Sequence, residues 1–148
     1  MKGSVEILLA LGNFPNLIEL CKGVMLREYT FDIHKTELPI KLEGSFKIKI
    51  MHNNPETLTG ELLEAKAIRD GVFLTRNLIN EPSNILTTEE FASRLKELSK
   101  LGVTVEILEE DDLHDLGMNA FLGVGQGSPS PSKFCLLYTS DAADEEDS

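Results

Sequence analysis

Nowhere does this chain run to the roughly 20 consecutive apolar residues of a membrane-spanning helix. Basic residues are scarce too: 14 Lys and Arg stand against 25 Asp and Glu, for a formal net charge of −11. Nucleic acids and anionic membrane surfaces are gripped by clustered Lys and Arg, so neither partner is expected. Only two cysteines occur, Cys21 and Cys135, far apart, which excludes a disulfide framework and a four-cysteine zinc site. The expected compartment is a reducing one, the cytoplasm. His34, His52 and His114 each lack a second histidine three or four residues away, so no histidine metal pair is expected.

What is present is the composition of a soluble globular protein. The 148 residues are 41% hydrophobic and 26% charged, enough for one domain with a buried core. The acidity is partly local. Residues 135–148 hold five acids (Asp141, Asp144, Glu145, Glu146 and Asp147) and no Lys or Arg, and setting them aside leaves −6 for residues 1–134. Near the N-terminus, Glu6 interrupts a short apolar run and no small-residue cleavage site follows, which reads as a strand and not a leader.

Residues 5–11 have the length of a buried strand and end at Gly12-Asn13. Asn16 is placed to cap a helix that begins near Leu17 and carries Leu17, Leu20, Val24 and Met25 on one face. Tyr29, Phe31 and Ile33 alternate with polar residues, as a half-buried strand or extended segment would, and polar residues 35–43, with Pro39, read as a loop. Phe46, Ile48 and Ile50 alternate with Lys47 and Lys49, the plainest period-two signal in the chain.

Asn53-Asn54-Pro55-Glu56 is a helix start, with proline at the first helical position and an acid beside the positive end of the dipole. The helix is expected to reach about Leu78, with Leu58, Leu62, Ala65, Ile68, Val72 and Ile79 as its buried stripe. At some 35 Å it would be long for a domain of this size, and typical of an element that bridges two domains. Pro82 prevents its continuation. Thr87 and Glu90 form a capping-box pattern before a helix carrying Phe91, Leu95 and Leu98 and stopping at Gly102. Val103, Val105 and Ile107 alternate as a strand, and Asp111 or Asp112 is the expected cap of a short helix ending at Gly117. Residues 118–124 form a further apolar run, expected to close an α-β-α-β order, and residues 123–132 read as a Gly/Ser/Pro loop.

Three patterns invite a chemical reading, and each has a plainer one. Gly123, Gly125 and Gly127 suggest a phosphate loop, but such a loop needs a helix directly after it, and Pro129 and Pro131 prevent one. A strand end needing close backbone approach explains the glycines better. The run Glu109-Glu110-Asp111-Asp112, with His114 and Asp115 nearby, lacks the alternating spacing of a calcium loop and reads as a solvated helix cap. Ser83 and Ser128 have no nucleophile-elbow surroundings, and neither cysteine has a neighbouring histidine. Taken alone, these residues define a soluble α/β chain and no reaction.

Two ordered motifs carry a resemblance. Residues 67–84, AIRDGVFLTRNLINEPSN, resemble the joining helix and following turn of the leucine (cytosol) aminopeptidase family, in which an Arg-x-Leu-x-Asn-x-Pro-x-Asn pattern precedes a capped helix. Arg76, Leu78, Asn80, Pro82 and Asn84 match, while Asn77 stands where an acid is commoner. Residues 116–128, LGMNAFLGVGQGS, resemble the family's Leu-Gly-Met…Val-x-x-Gly-Ser segment, and the spacing between the two motifs agrees. Upstream, residues 23–35 are similar to the family's Tyr-x-Phe-Asp segment after a helix. The resemblance covers about residues 5–134.

It implies a dinuclear metallopeptidase that removes N-terminal residues, often leucine, from peptides. The family's plan is an N-terminal α/β domain, a long connecting helix and a larger catalytic α/β domain, usually assembled as a homohexamer. Two divalent metals, zinc or manganese (or magnesium), polarise the scissile carbonyl and supply a bridging hydroxide. Their ligands, a Lys, three Asp and a Glu, helped by an Arg, belong to Gly-Lys-Gly…Phe-Asp-x-Gly-Gly and Asn-Thr-Asp-Ala-Glu-Gly-Arg patterns, neither of which occurs here. No catalytic, cofactor-binding or metal residue is therefore carried over onto this chain.

Residues 135–145, CLLYTSDAADE, resemble the conceptual translation of a transposase sequencing adapter, so the tail is expected to be non-native and the chain an internal fragment. Residues 139–148 have no large apolar residue to anchor them and are expected to pack against nothing, whereas the apolar residues 134–138 can still be recruited as a strand. The expected fold class is α/β with incomplete mixed layers. Residues 1–52 would be the end of the N-terminal domain, 53–80 the connecting helix, 81–134 the start of the catalytic domain and 135–148 the non-native tail. The rival reading is a non-catalytic α/β binding or assembly module, which should close its own sheet and end in a polar stop.

Overall fold

The computed structural model describes residues 5–36 and 46–139. Most of the loop expected over 35–43 and most of the acidic tail lie outside the described residues. Among the described residues the fold is mixed α/β, as expected, and the chain divides after Asn80 into two compact units.

The first unit is a β-α-β crossover followed by one long helix. Strand β1 (Val5–Ala10) pairs in parallel with β2 (Phe46–Met51), Ile7 opposite Ile48 and Leu9 opposite Ile50. Helix α1 (Leu17–Arg27) lies between them in sequence and packs on α2 (Thr59–Asn80). Among its described residues, Leu17 and Cys21 of α1 are buried, and so is Ala65 of α2, whose methyl side chain lets the helices approach closely.

A 3-10 turn, Pro55–Leu58, leads directly into α2. Proline suits this start because its missing N–H would have been an orphan in any case. The helix then runs unbroken through Gly60 and Gly71, as expected, and ends at Asn80.

Three expectations for this unit need correction. Asn16 stands at the N-cap of α1 but makes no side-chain cap bond. The buried stripe of α1 runs through Leu17 and Cys21, with Leu20 more than a third exposed. The runs read as buried in β1 and along α2 are also partly open: Leu8, Ile68 and Ile79 are 59%, 45% and 75% exposed. Apolar spacing reports which residues share a face; it does not report whether that face is covered.

In the second unit, α3 (Thr88–Lys96) tightens into a 3-10 turn, Glu97–Leu101, and stops at Gly102, whose φ of 88° needs no Cβ. Strand β3 (Thr104–Leu108) pairs antiparallel with β4 (Phe134–Tyr138), Val105 opposite Leu137 and Ile107 opposite Cys135. Between them lie α4 (Glu110–Asp115) and α5 (Asn119–Gly125). Leu113 is completely buried, and Ala92 and Leu122 nearly so. Helix α4 closes on a Schellman arrangement: Gly117 N–H donates to His114 and Met118 N–H to Leu113.

Two corrections follow here. The cap of α4 is Glu109, not Asp111 or Asp112; Asp112 is the third residue of the helix and accepts from the Glu109 N–H at 2.8 Å. The apolar run 118–124 is helical, and the second strand of this sheet is Phe134–Tyr138. The run has no period-two alternation, and helical geometry buries Leu122 while setting the Phe121 ring edge-on against Phe134 at 5.6 Å.

Candidate functional site

The densest side-chain constellation in the first unit is built on Tyr29, just past the end of α1. Its ring lies 5.1 Å from that of Phe73 and 3.9 Å under the Arg76 guanidinium. Its hydroxyl donates to Asn77 Oδ1 at 2.9 Å and accepts from Asn80 Nδ2 at 3.0 Å. Four residues of the last two turns of α2 thus converge on one side chain, and two of them, Arg76 and Asn80, belong to the motif that carries the resemblance.

The same unit holds a cleft of about 470 Å³ between the start of α1 and the start of α2, lined by Phe14, Leu17, Lys22, His52, Glu61 and Glu64 among others. Lys22 is bonded to Glu19 at 2.8 Å, and that carboxylate, with Glu64 and Glu61 nearby, holds the ammonium above its ordinary range. His52 accepts the Asn54 N–H on Nδ1 at 3.2 Å, so that nitrogen serves the turn before α2.

The carboxylate run of the second unit is occupied structurally, as its plain reading required. Asp112 accepts the Glu109 N–H at the start of α4, Glu109 pairs with Lys133, and Glu110 accepts the Ser132 N–H at 2.7 Å. Thr88 Oγ1 donates to the Pro131 carbonyl at 2.7 Å, so the Gly/Ser/Pro loop is tied to both α3 and α4. Among the described residues, as Pro129 and Pro131 require, no helix follows the glycines. Close approach does explain one of them, at a helix end instead of a strand end. A Cβ on Gly125 would stand 2.0 Å from Ser132 Oγ. That oxygen is buried and has no hydrogen-bond partner. A shallow cleft of about 330 Å³, lined by Glu110, His114, Gly125 and Gln126 among others, opens beside the loop.

Neither cysteine is activated. Burial raises the Cys21 thiol above its ordinary value against the opposing pull of a backbone hydrogen bond, and desolvation raises Cys135 against the opposing pull of Lys133. Arg94 is held charged by Glu90 at 2.7 Å and Glu81 at 3.1 Å, a fixed pair at the start of the second unit. Among the described residues no three His, Cys, Asp or Glu side chains come together as a metal site.

Sequence reasoning missed the Tyr29 cluster and the buried Ser132 hydroxyl. Tyr29 is 48 residues from Asn77 and 51 from Asn80, and no local spacing signals such a pairing.

Comparison with known proteins agrees with the motifs. The model of the family described as "Cytosol aminopeptidase family, catalytic domain" matches residues 73–148. The "Probable cytosol aminopeptidase" of Cereibacter sphaeroides is 45% identical over 119 residues, 80% of this chain and 24% of that protein. The protein of the same description from Dinoroseobacter shibae is 40% identical over 135 residues, 91% and 27% of the two chains. The chain thus spans about a quarter of the length of these curated relatives. Among solved structures, the bottromycin maturation enzyme BotP aligns with a TM-score of 0.64 at 26% identity, covering 81% of this chain and 25% of that one. A structure of BotP in complex with Mn aligns with a TM-score of 0.61 at 26% identity, over 81% and 24%.

Proposed function

The chain belongs to the cytosol aminopeptidase family, and on that premise we propose that it is part of a metal-dependent aminopeptidase that removes N-terminal residues, often leucine, from peptides. The observation that carries this reading is the catalytic-domain match over residues 73–148, which spans the second of the two ordered motifs and begins within the first. In the parent protein, two divalent ions (zinc or manganese) would polarise the scissile carbonyl and supply the attacking hydroxide. A homohexamer acting on peptides in the cytoplasm is the assembly and setting proposed for that parent.

The present residues take no step in that chemistry. Neither metal-binding pattern occurs among them, and His52, Asp112 and Glu110 each accept a backbone N–H of a turn, a helix start or a loop. We propose that the chain by itself is inactive and supplies architecture around the catalytic centre. Two assays test this. Purified residues 1–148 should hydrolyse no Leu-p-nitroanilide with added zinc or manganese, and metal-dependent turnover that survives a contamination control would overturn the assignment of inactivity. The product of the longest genomic reading frame containing residues 1–134 should hydrolyse it and lose activity to a chelator. Failure of that product with any divalent metal would overturn the aminopeptidase reading.

A further inference from the structure

We infer that Tyr29 is a latch that ties the segment after α1 to the final two turns of α2, so that the two open and close as one unit. An ordinary core tyrosine buries its ring among aliphatic side chains and satisfies its hydroxyl once. Tyr29 instead has an aromatic ring and a guanidinium on its ring, and its hydroxyl is used twice, as donor to Asn77 and acceptor from Asn80. All four partners belong to α2, at positions 73, 76, 77 and 80, the i, i+3, i+4 and i+7 positions of one helix face.

The place of the latch gives it its role. Residues 28–36 have no strand or helix of their own, and Tyr29 supplies two side-chain bonds that hold this stretch to the helix. The last turn of α2 carries no basic residue to complement the dipole, and Ile79 within it is 75% exposed. Because the bonds lie near the surface, with Asn80 exposed, the latch can release without opening the Leu17–Cys21–Ala65 core. The inference also gives Arg76 and Asn80, two residues of the recognised motif, a task that is independent of peptide hydrolysis.

Hydrogen exchange on the full chain, with Tyr29→Phe and Asn80→Ala, tests it. Tyr29→Phe keeps the ring contacts and removes both hydrogen bonds. It should speed exchange at residues 28–36 and at residues 77–80 together, roughly threefold to tenfold, while β1 and β2 keep their rates. Asn80→Ala changes an exposed side chain and should reproduce the same pattern more weakly even if the tyrosine variant folds poorly. Added to Tyr29→Phe it should change little, because the bond it removes is already gone. Unchanged exchange at 77–80, acceleration confined to one of the two segments, or uniform acceleration through β1 and β2 would each overturn the latch.

Discussion

Gly125, at the end of α5, turns its bare Cα toward Ser132, so that a methyl group built there would stand 2.0 Å from the Ser132 hydroxyl oxygen and 3.4 Å from its Cβ. The obstacle is one rotatable oxygen, and that oxygen makes no hydrogen bond. Its removal therefore loses nothing, and a buried hydroxyl without a partner carries a desolvation cost.

The first prediction follows from that pair. Ser132→Ala should be neutral or stabilising by up to about 1 kcal/mol. Gly125→Ala alone gains helix propensity but must turn the Ser132 side chain aside. In the Ser132→Ala background the clash is gone, and Gly125→Ala should become stabilising by roughly 0.5–1 kcal/mol. Urea midpoints of the four proteins give the coupling directly. Strict additivity would show that the close approach is not what places glycine at this position.

The long helix supports a second prediction. Gly71 lies within α2, is exposed, and has open space where a Cβ would go. Gly71→Ala should raise stability by about 0.5–1 kcal/mol, with a higher thermal midpoint and an unchanged circular dichroism spectrum. A destabilised variant would mean that the helix is bent or packed at that residue.

The elements that could be read from the sequence are those whose cause is local. Lys47-Ile48-Lys49-Ile50 alternates and is a strand, Pro55 starts a helix, and Gly102 and Gly117 end theirs with φ of 88° and 70°. What could not be read depends on distant partners. Residues 118–124 are apolar without a period, and their helical state is decided by what Leu122 and Phe121 pack against. Glu109 displaced the aspartates as cap because Asp112 reaches back to its N–H, a choice among four adjacent acids. Of the candidate site, the motif residues were visible, but the Tyr29 partnership that occupies Arg76 and Asn80 was not.

The thiols give a third prediction. Cys21 is 8% exposed, and burial raises its pKa from the ordinary value of 9.0; desolvation raises Cys135 likewise. A thiol whose folded pKa lies above its unfolded one stabilises the fold fully below about pH 9, and that contribution is lost as the pH rises further. At pH 8, iodoacetamide should label both thiols more slowly in the native chain than in urea, Cys21 slowest. The midpoint of urea unfolding should be insensitive to either thiol between pH 7 and 8 and fall above about pH 9. Native labelling of Cys21 at the unfolded rate would contradict its burial.

The last prediction separates a cap from a capping box at the start of α3. Thr87 Oγ1 accepts the Glu90 N–H at 3.2 Å, but the reciprocal bond is not made: the Thr87 N–H donates to the Ile85 carbonyl at 3.1 Å, and the Glu90 carboxylate takes Arg94 at 2.7 Å. Only half of the Thr-x-x-Glu pattern read from the sequence is therefore used as a cap. Thr87→Ala should cost about 1 kcal/mol, Thr87→Ser should restore most of it, and the thermal midpoint should follow in both cases. Glu90→Ala should cost less than Thr87→Ala, because it removes a half-exposed ion pair and leaves the Thr87 cap in place. In a full capping box each partner satisfies a backbone donor of the other, so the two substitutions would cost alike. Equal losses would therefore show that Glu90 caps the helix in solution and that the pairing with Arg94 is secondary.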